Sequence, residues 1–313
     1  MKNLFGLGAL VCVVIVLVAG AVPAFAKEKD KNIEACFSNF KGQDYPKAIE
    51  FGKKAVKSSP KDNDGYFCLG ISYCQIGEYK LSLDALKKAE TLETSQSGIA
   101  SIASWVGSIY YKTNNNDEAF RQFNRSLAIR RDLNDARGIA QELNNIANIY
   151  QNSGQRDKAL EYYQESLSID PDELGKATAL SNIANIYLID NNTVAAEEYF
   201  TKALKLAEKN GDYGSQATYT IRLGSTKFIQ GDVVNAKVMM EKGLKMAREI
   251  KSPFDEALAL DYLGRNYYKS GNIEAACDYM RQAISKYDQI GSKNNAKTAQ
   301  RELEFYSQKL SKQ

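Results

Sequence analysis

Seven stretches of the chain carry small residues in the same three columns, and no other feature restricts the fold as tightly. The stretches are 29–62, 63–96, 100–133, 140–173, 177–210, 217–250 and 257–290, and each reads as helix, short turn, helix. One column on the first helices holds Cys36, Gly70, Gly107, Ala147, Ala184, Gly224 and Gly264. The second helices hold two more: Ala48, Ser82, Ala119, Ala159, Ala196, Ala236 and Ala276, then Ala55, Ala89, Ser126, Ser166, Ala203, Gly243 and Ala283. Antiparallel helices approach closely only where facing side chains are small. Self-similarity at 34 to 40 residues implies stacked repeats, each burying its neighbour's apolar face, rather than a globular enzyme.

Large residues fill the remaining columns. Leu69, Val106, Ile146, Ile183, Leu223 and Leu263 precede the small residue of the first helices. Phe123, Tyr163, Phe200, Met240 and Met280 share a column on the second, and Tyr73, Tyr110, Tyr150, Tyr187 and Tyr267 one on the first. Between paired helices stand Gly77, Asn114, Gly154, Asn191, Gly231 and Gly271, residues that tolerate a left-handed helix end. Gln43 occupies that column in the first stretch, and Pro46 falls near the next helix start, where a missing N–H is harmless. The first helix of the first stretch is poor, with Ala35, Cys36 and Asn39 in core columns. Residues 291–313 read as an amphipathic capping helix, with Ala296, Ala299, Leu303, Tyr306 and Leu310 on its apolar face.

These columns resemble the tetratricopeptide repeat family from Lys29 to Ile290. Segment 63–96 is a close match through Tyr66, Leu69-Gly70, Tyr73, Gly77-Glu-Tyr79 and Ala89, and segment 140–173 ends in the expected Asp170-Pro171. The inserts 134–139, 211–216 and 251–256 lengthen later units and look like the subgroup of kinesin light chains and bacterial peptide-sensing regulators. The resemblance implies an all-α, right-handed α-solenoid of about seven helix-turn-helix repeats over 27–290, with the first helices lining a concave groove.

The groove columns of that family fall on Phe67, Ile71 and Cys74, then Ser104, Ser108, Tyr111 and Lys112. Next come Asn144, Asn145, Asn148 and Gln151, followed by Ser181, Asn182, Asn185 and Leu188. Ile221, Arg222, Ser225 and Phe228, then Asp261, Arg265, Tyr268 and Lys269, complete the set. The phrase Leu143-Asn-Asn-Ile-Ala-Asn-Ile-Tyr150 returns as Leu180-Ser-Asn-Ile-Ala-Asn-Ile-Tyr187, and the packing columns do not require its asparagines. An asparagine both donates and accepts, so it can hold a peptide's main chain whatever its side chains. By the resemblance, Asn144, Asn145, Asn148, Asn182, Asn185, Arg222, Phe228, Arg265, Tyr268 and Lys269 form the expected peptide-binding surface. The same asparagines could equally be solvated or bonded to a neighbouring helix. A carboxylate clamp of the chaperone-binding type fits poorly, because Asn144 and Thr218 stand where that pattern has lysines.

Composition removes most chemistry. There is no histidine, which excludes Ser-His and Cys-His pairs and histidine metal sites. No glycine-rich phosphate loop or paired-carboxylate motif stands out, so no enzyme activity and no cofactor is expected. A formal charge of +3 with interspersed signs gives no warrant for nucleic-acid binding. Residues 1–26 read as a secretory signal: Lys2, an apolar stretch from Leu7 to Val18, then Ala24-Phe25-Ala26 before a charged run. Uncleaved, that segment could nearly span a bilayer and would be the chain's one membrane contact; Pro23 and the Ala-x-Ala site favour cleavage before Lys27. An exported protein, periplasmic or extracellular, is expected. Its partner would be a protein or peptide, with a homo-oligomeric scaffold as the alternative. Export permits disulfides, but Cys68 and Cys74, about 9 Å apart on one helix, are beyond bridging distance. Buried thiols are the expected state of Cys36, Cys68, Cys74 and Cys277.

Overall fold

The computed structural model describes residues 30–311; the expected signal segment lies outside them. Among the described residues there are fifteen helices and no strand. The chain divides after Asp170 into two compact units. The first contains α1 (Lys31–Lys41), α2 (Tyr45–Ser58), α3 (Asn63–Gln75), α4 (Tyr79–Leu92), α5 (Gln96–Lys112), α6 (Asn116–Asp132), α7 (Ala136–Asn152) and α8 (Arg156–Ile169). The second contains α9 (Glu173–Ile189), α10 (Thr193–Lys209), α11 (Tyr213–Gln230), α12 (Val233–Glu249), α13 (Pro253–Lys269), α14 (Ile273–Gln289) and α15 (Lys293–Leu310). Consecutive helices pair as antiparallel hairpins, and each unit is a solenoid-type stack of them.

The small columns work by opposing large ones. A Cβ on Gly107 would stand 2.8 Å from the Phe123 ring, one on Gly70 would stand 2.7 Å from Leu86 Cγ, and one on Gly224 would stand 2.9 Å from Met240 Cγ. Leu86, Phe123, Tyr163, Phe200, Met240 and Met280 are all buried in the space so created. Tyrosines also tie the two helices within a hairpin: Tyr150 stacks on Tyr162 at 5.3 Å, Tyr187 on Tyr199 at 5.4 Å and Tyr267 on Tyr279 at 5.1 Å. Every residue expected to end a first helix in the left-handed region does so, from Gly77 to Gly271, and Gln43 joins them at φ 61°.

The extra residues of the longer repeats are not loop inserts. Residues 136–139, 213–216 and 253–256 form the first turns of α7, α11 and α13, which start four residues before the expected positions. The signal lies in the caps. Asp135, Asp212 and Ser252 each accept a backbone N–H from the first turn, as N-cap side chains do. Asn134, Gly211 and Lys251 just before them take positive φ and reverse the chain.

Within the first unit α1 meets α3, α3 meets α5 and α5 meets α7; within the second, α11 meets α13. No two second helices come together comparably, so first helices form the inner layer of each stack. Helix α15 packs on α14 and, through its side chains, on α13. It therefore stands where the first helix of a further hairpin would, as the capping role requires. The cysteine expectation needs correcting. Cys36 on α1 and Cys68 on α3 form a disulfide with Cα atoms 6.3 Å apart, while Cys74 and Cys277 are buried thiols. Spacing along one helix could not reveal the pair, because its members sit 32 residues apart on neighbouring hairpins.

Candidate functional site

The amide cluster of the first unit is centred on α7, and most of it is already engaged. Asn144 is buried; its amide nitrogen donates to Ala140 O at 3.2 Å and to Ser166 Oγ on α8. It joins two helices instead of lining an open surface, which corrects the sequence expectation. Asn145 donates to Glu142 Oε2 at 3.2 Å. Glu142 is wholly buried, accepts from Ser126 Oγ at 2.9 Å and lies 3.4 Å from Arg130 Nε. Burial pushes its carboxyl above the ordinary range, against the pull of Arg130. Asn148 is half-buried and accepts from the Tyr163 hydroxyl at 2.5 Å, a proton contested by Gln151 Oε1 at 2.9 Å. Its NH2 donates to nothing among the described residues.

In the second unit the same phrase has a different fate. Asn182 and Asn185 on α9 lie one turn apart, both half-buried, and neither side chain has a hydrogen-bond partner among the described residues. The cause can be read residue by residue. Asn182 matches Asn145, but Glu142 is replaced by Ala179; Asn185 matches Asn148, but Tyr163 is replaced by Phe200. Each amide has lost the one group that would have bonded it. Two unoccupied donor–acceptor groups on one helix face can satisfy the alternating N–H and C=O of an extended chain.

The remaining expected residues are buried or engaged with one another and with α15. Arg222 is buried in α11. Thr218 donates to Asp255 Oδ1 at 3.0 Å, which removes another column of the carboxylate clamp. Lys269 lies over the Phe228 ring, 4.8 Å from its centroid, and donates to Phe228 O at 3.2 Å. Arg265 is held between Asp261 at 2.7 Å and Glu302 of α15 at 2.8 Å. Tyr268 stacks on Tyr306 at 4.2 Å and meets Phe305 edge-on at 5.6 Å. The capping helix thus covers Arg265 and Tyr268, which corrects their assignment to the groove. Of the groove columns on α3, Ile71 and Cys74 are buried as well.

Antiparallel hairpins with small-against-large packing, stacked with their first helices inward, define a helical-repeat protein. Models of the tetratricopeptide repeat match residues 98–172 and 138–209, and another such model matches 258–289. The chain thus carries tetratricopeptide repeats over 98–209 and 258–289, and the other hairpins among the described residues are built alike. No curated protein matches it at a significant level. Among solved structures it is similar to a Rap protein complexed with competence and sporulation factor, at 15% identity and TM-score 0.65, covering 91% of this chain and 89% of that one. It is similar also to the Rap conjugation gene regulator of plasmid pLS20 in complex with a Phr peptide, at 18% identity and TM-score 0.64, covering 85% of this chain and 75% of that one. The apo quorum sensor NprR from B. thuringiensis gives 16% identity and TM-score 0.63 over 88% and 86%. At these identities the likeness is one of fold.

Proposed function

We propose that this is a non-catalytic, exported recognition protein that holds an extended peptide or protein segment on the inner faces of its first helices. The observation that carries the proposal is the pair Asn182 and Asn185, partly accessible and unbonded where their counterparts Asn145 and Asn148 are engaged. An inner-face amide without a partner is spare hydrogen-bonding capacity, and a peptide main chain is the ligand that uses donor and acceptor together. One of the similar structures holds a Phr peptide and another the competence and sporulation factor, which supports the same reading. Envelope assembly, secretion or sensing are the settings in which an exported adaptor of this kind would act. The expected signal segment and the Cys36–Cys68 disulfide both suit an oxidising compartment. N-terminal sequencing of the exported protein should find a start at Lys27, and a start at Met1 would contradict the cleavage.

The binding test is the double variant Asn182→Ala with Asn185→Ala, assayed against a peptide array. Loss of two main-chain hydrogen bonds should weaken binding by about ten- to a hundredfold, with the melting temperature unchanged because neither amide bonds the fold. Undiminished binding would refute the reading. A scaffold role is favoured by one observation on the second helices: Val194 on α10 and Val234 and Val238 on α12 are 75%, 71% and 60% exposed. Light scattering should report a monomer if the inner faces alone act. An oligomer dispersed by Val234→Glu with Val238→Glu would establish the scaffold role.

A further inference from the structure

The first unit carries a second cluster on its first helices, aromatic where the amide cluster is polar. Three half-buried aromatics, Phe37 on α1, Phe67 on α3 and Trp105 on α5, belong to one apolar cluster. Phe37 and Phe67 lie 6.4 Å apart, and Trp105 meets Phe40 of α1 edge-on at 6.2 Å. Helices α1 and α5 flank α3 in the inner layer, so an indole on α5 that reaches α1 passes over the inner face of α3. This explains the burial of Ile71 and Cys74, which the groove columns would otherwise expose. Between Phe67 and Trp105 the surface is without charge, since α3 has no charged residue after Asp64 and α5 has none before Lys112; at the α1 edge, Glu34 and Lys41 flank Phe37. A charged side chain laid between Phe67 and Trp105 would lose hydration and find no partner on those two helices.

We propose that Trp105, Phe67 and Phe37 select an uncharged peptide segment bearing an aromatic or large aliphatic side chain, whose main chain continues onto the Asn148 NH2, the half of that amide that Tyr163 leaves free. The inference rests on the peptide-binding reading above and adds the chemistry of the ligand. Helix α7, which carries Asn148, is in contact with α5, so the two surfaces are continuous within one unit. Neighbouring helices lie about 8–10 Å apart, and an extended chain advances about 3.3 Å per residue. The selected side chain therefore sits about three residues from the peptide unit held by Asn148 when it rests on Trp105, and about six when it rests on Phe67.

A random nonapeptide array probed with the full-length protein tests this, followed by titration of the selected peptides while reading the emission of Trp105, the one tryptophan of the chain. Selected peptides should share one apolar position within an uncharged stretch and shift the Trp105 emission to shorter wavelength. Replacing that position by alanine should weaken binding about ten- to a hundredfold. Trp105→Ala should flatten the preference at that position; if it fails to fold, Phe67→Ala reads the same contact with the indole retained. Binding with no apolar preference and an unmoved emission would overturn this inference and leave the main-chain reading standing. Absence of any peptide binding would overturn both.

Discussion

At the scale of single residues, identity matters less than what stands opposite. Gly243 illustrates this: a Cβ there would lie 2.4 Å from Ile221 Cγ1 and 3.3 Å from the backbone nitrogen of Ile221. The atom in the way is close to the main chain and cannot swing aside, so Gly243→Ala forces α11 and α12 apart. Overpacking of this kind costs about 1–3 kcal/mol, and denaturant unfolding should report a loss in that range even though alanine fills the same column elsewhere. The packing columns were legible in the sequence because burial against a neighbouring repeat imposes the same size limit in every hairpin. The state of each amide was not. Asn145 and Asn182 occupy equivalent columns in near-identical phrases, and their difference comes from Glu142 against Ala179, a position outside the shared phrase.

At the scale of elements, α15 is fastened to α13 and α14 by an unbalanced charge cluster. Asp261 and Glu302 share the single guanidinium of Arg265, while the Tyr287 hydroxyl donates to Asp261 Oδ2 at 3.3 Å and that of Tyr306 donates to Glu302 Oε2 at 3.2 Å. Burial raises the Glu302 carboxyl above its ordinary 4.5, Asp261 pushes the same way and Arg265 opposes them. A group whose folded pKa is raised stabilises the docked state at low pH, and the contribution is lost as pH rises through the raised value. Protection of residues 293–310 against hydrogen exchange, corrected for intrinsic rates, should therefore fall as pH rises from below 4.5. Glu302→Gln should remove that dependence. Protection independent of pH in the unaltered chain would contradict the account. The helix itself was legible from its apolar spacing; what it covers was not, because Glu302 and Phe305 face residues far away in the chain. The early starts of α7, α11 and α13 were missed for a nearer reason, since the N-cap residues Asp135, Asp212 and Ser252 precede the columns by which the repeats align.

At the scale of the molecule, stability in stacked repeats is a sum over neighbours, and a terminal repeat has only one. The first hairpin has the poorest inner helix, with Ala35 and Asn39 only half-buried in core columns, and would be the first to open. The Cys36–Cys68 disulfide ties that helix to the next hairpin and offsets the missing neighbour. Constraining a loop of this length is worth about 3–4 kcal/mol. Hydrogen exchange should show residues 31–58 protected comparably to residues 63–92 in the oxidised protein, and opening ahead of them once the bridge is reduced. Equal protection in both states would mean that packing alone holds the terminal hairpin.

The duplicated phrase on α7 and α9 also supplies an internal control that evolution has already run. Tyr163 is accommodated at 0% exposure in the column where the next hairpin has Phe200, so the scaffold has shown that it can house a phenol there. Phe200→Tyr would place a hydroxyl beneath Asn185 as Tyr163 places one beneath Asn148, converting an open amide into an occupied one by adding a single oxygen atom. Ligand affinity would then fall without any change to the contact surface itself, and the reverse exchange, Tyr163→Phe, would release Asn148. Two substitutions buried out of a ligand's reach would thus tune how many inner-face amides are available to it.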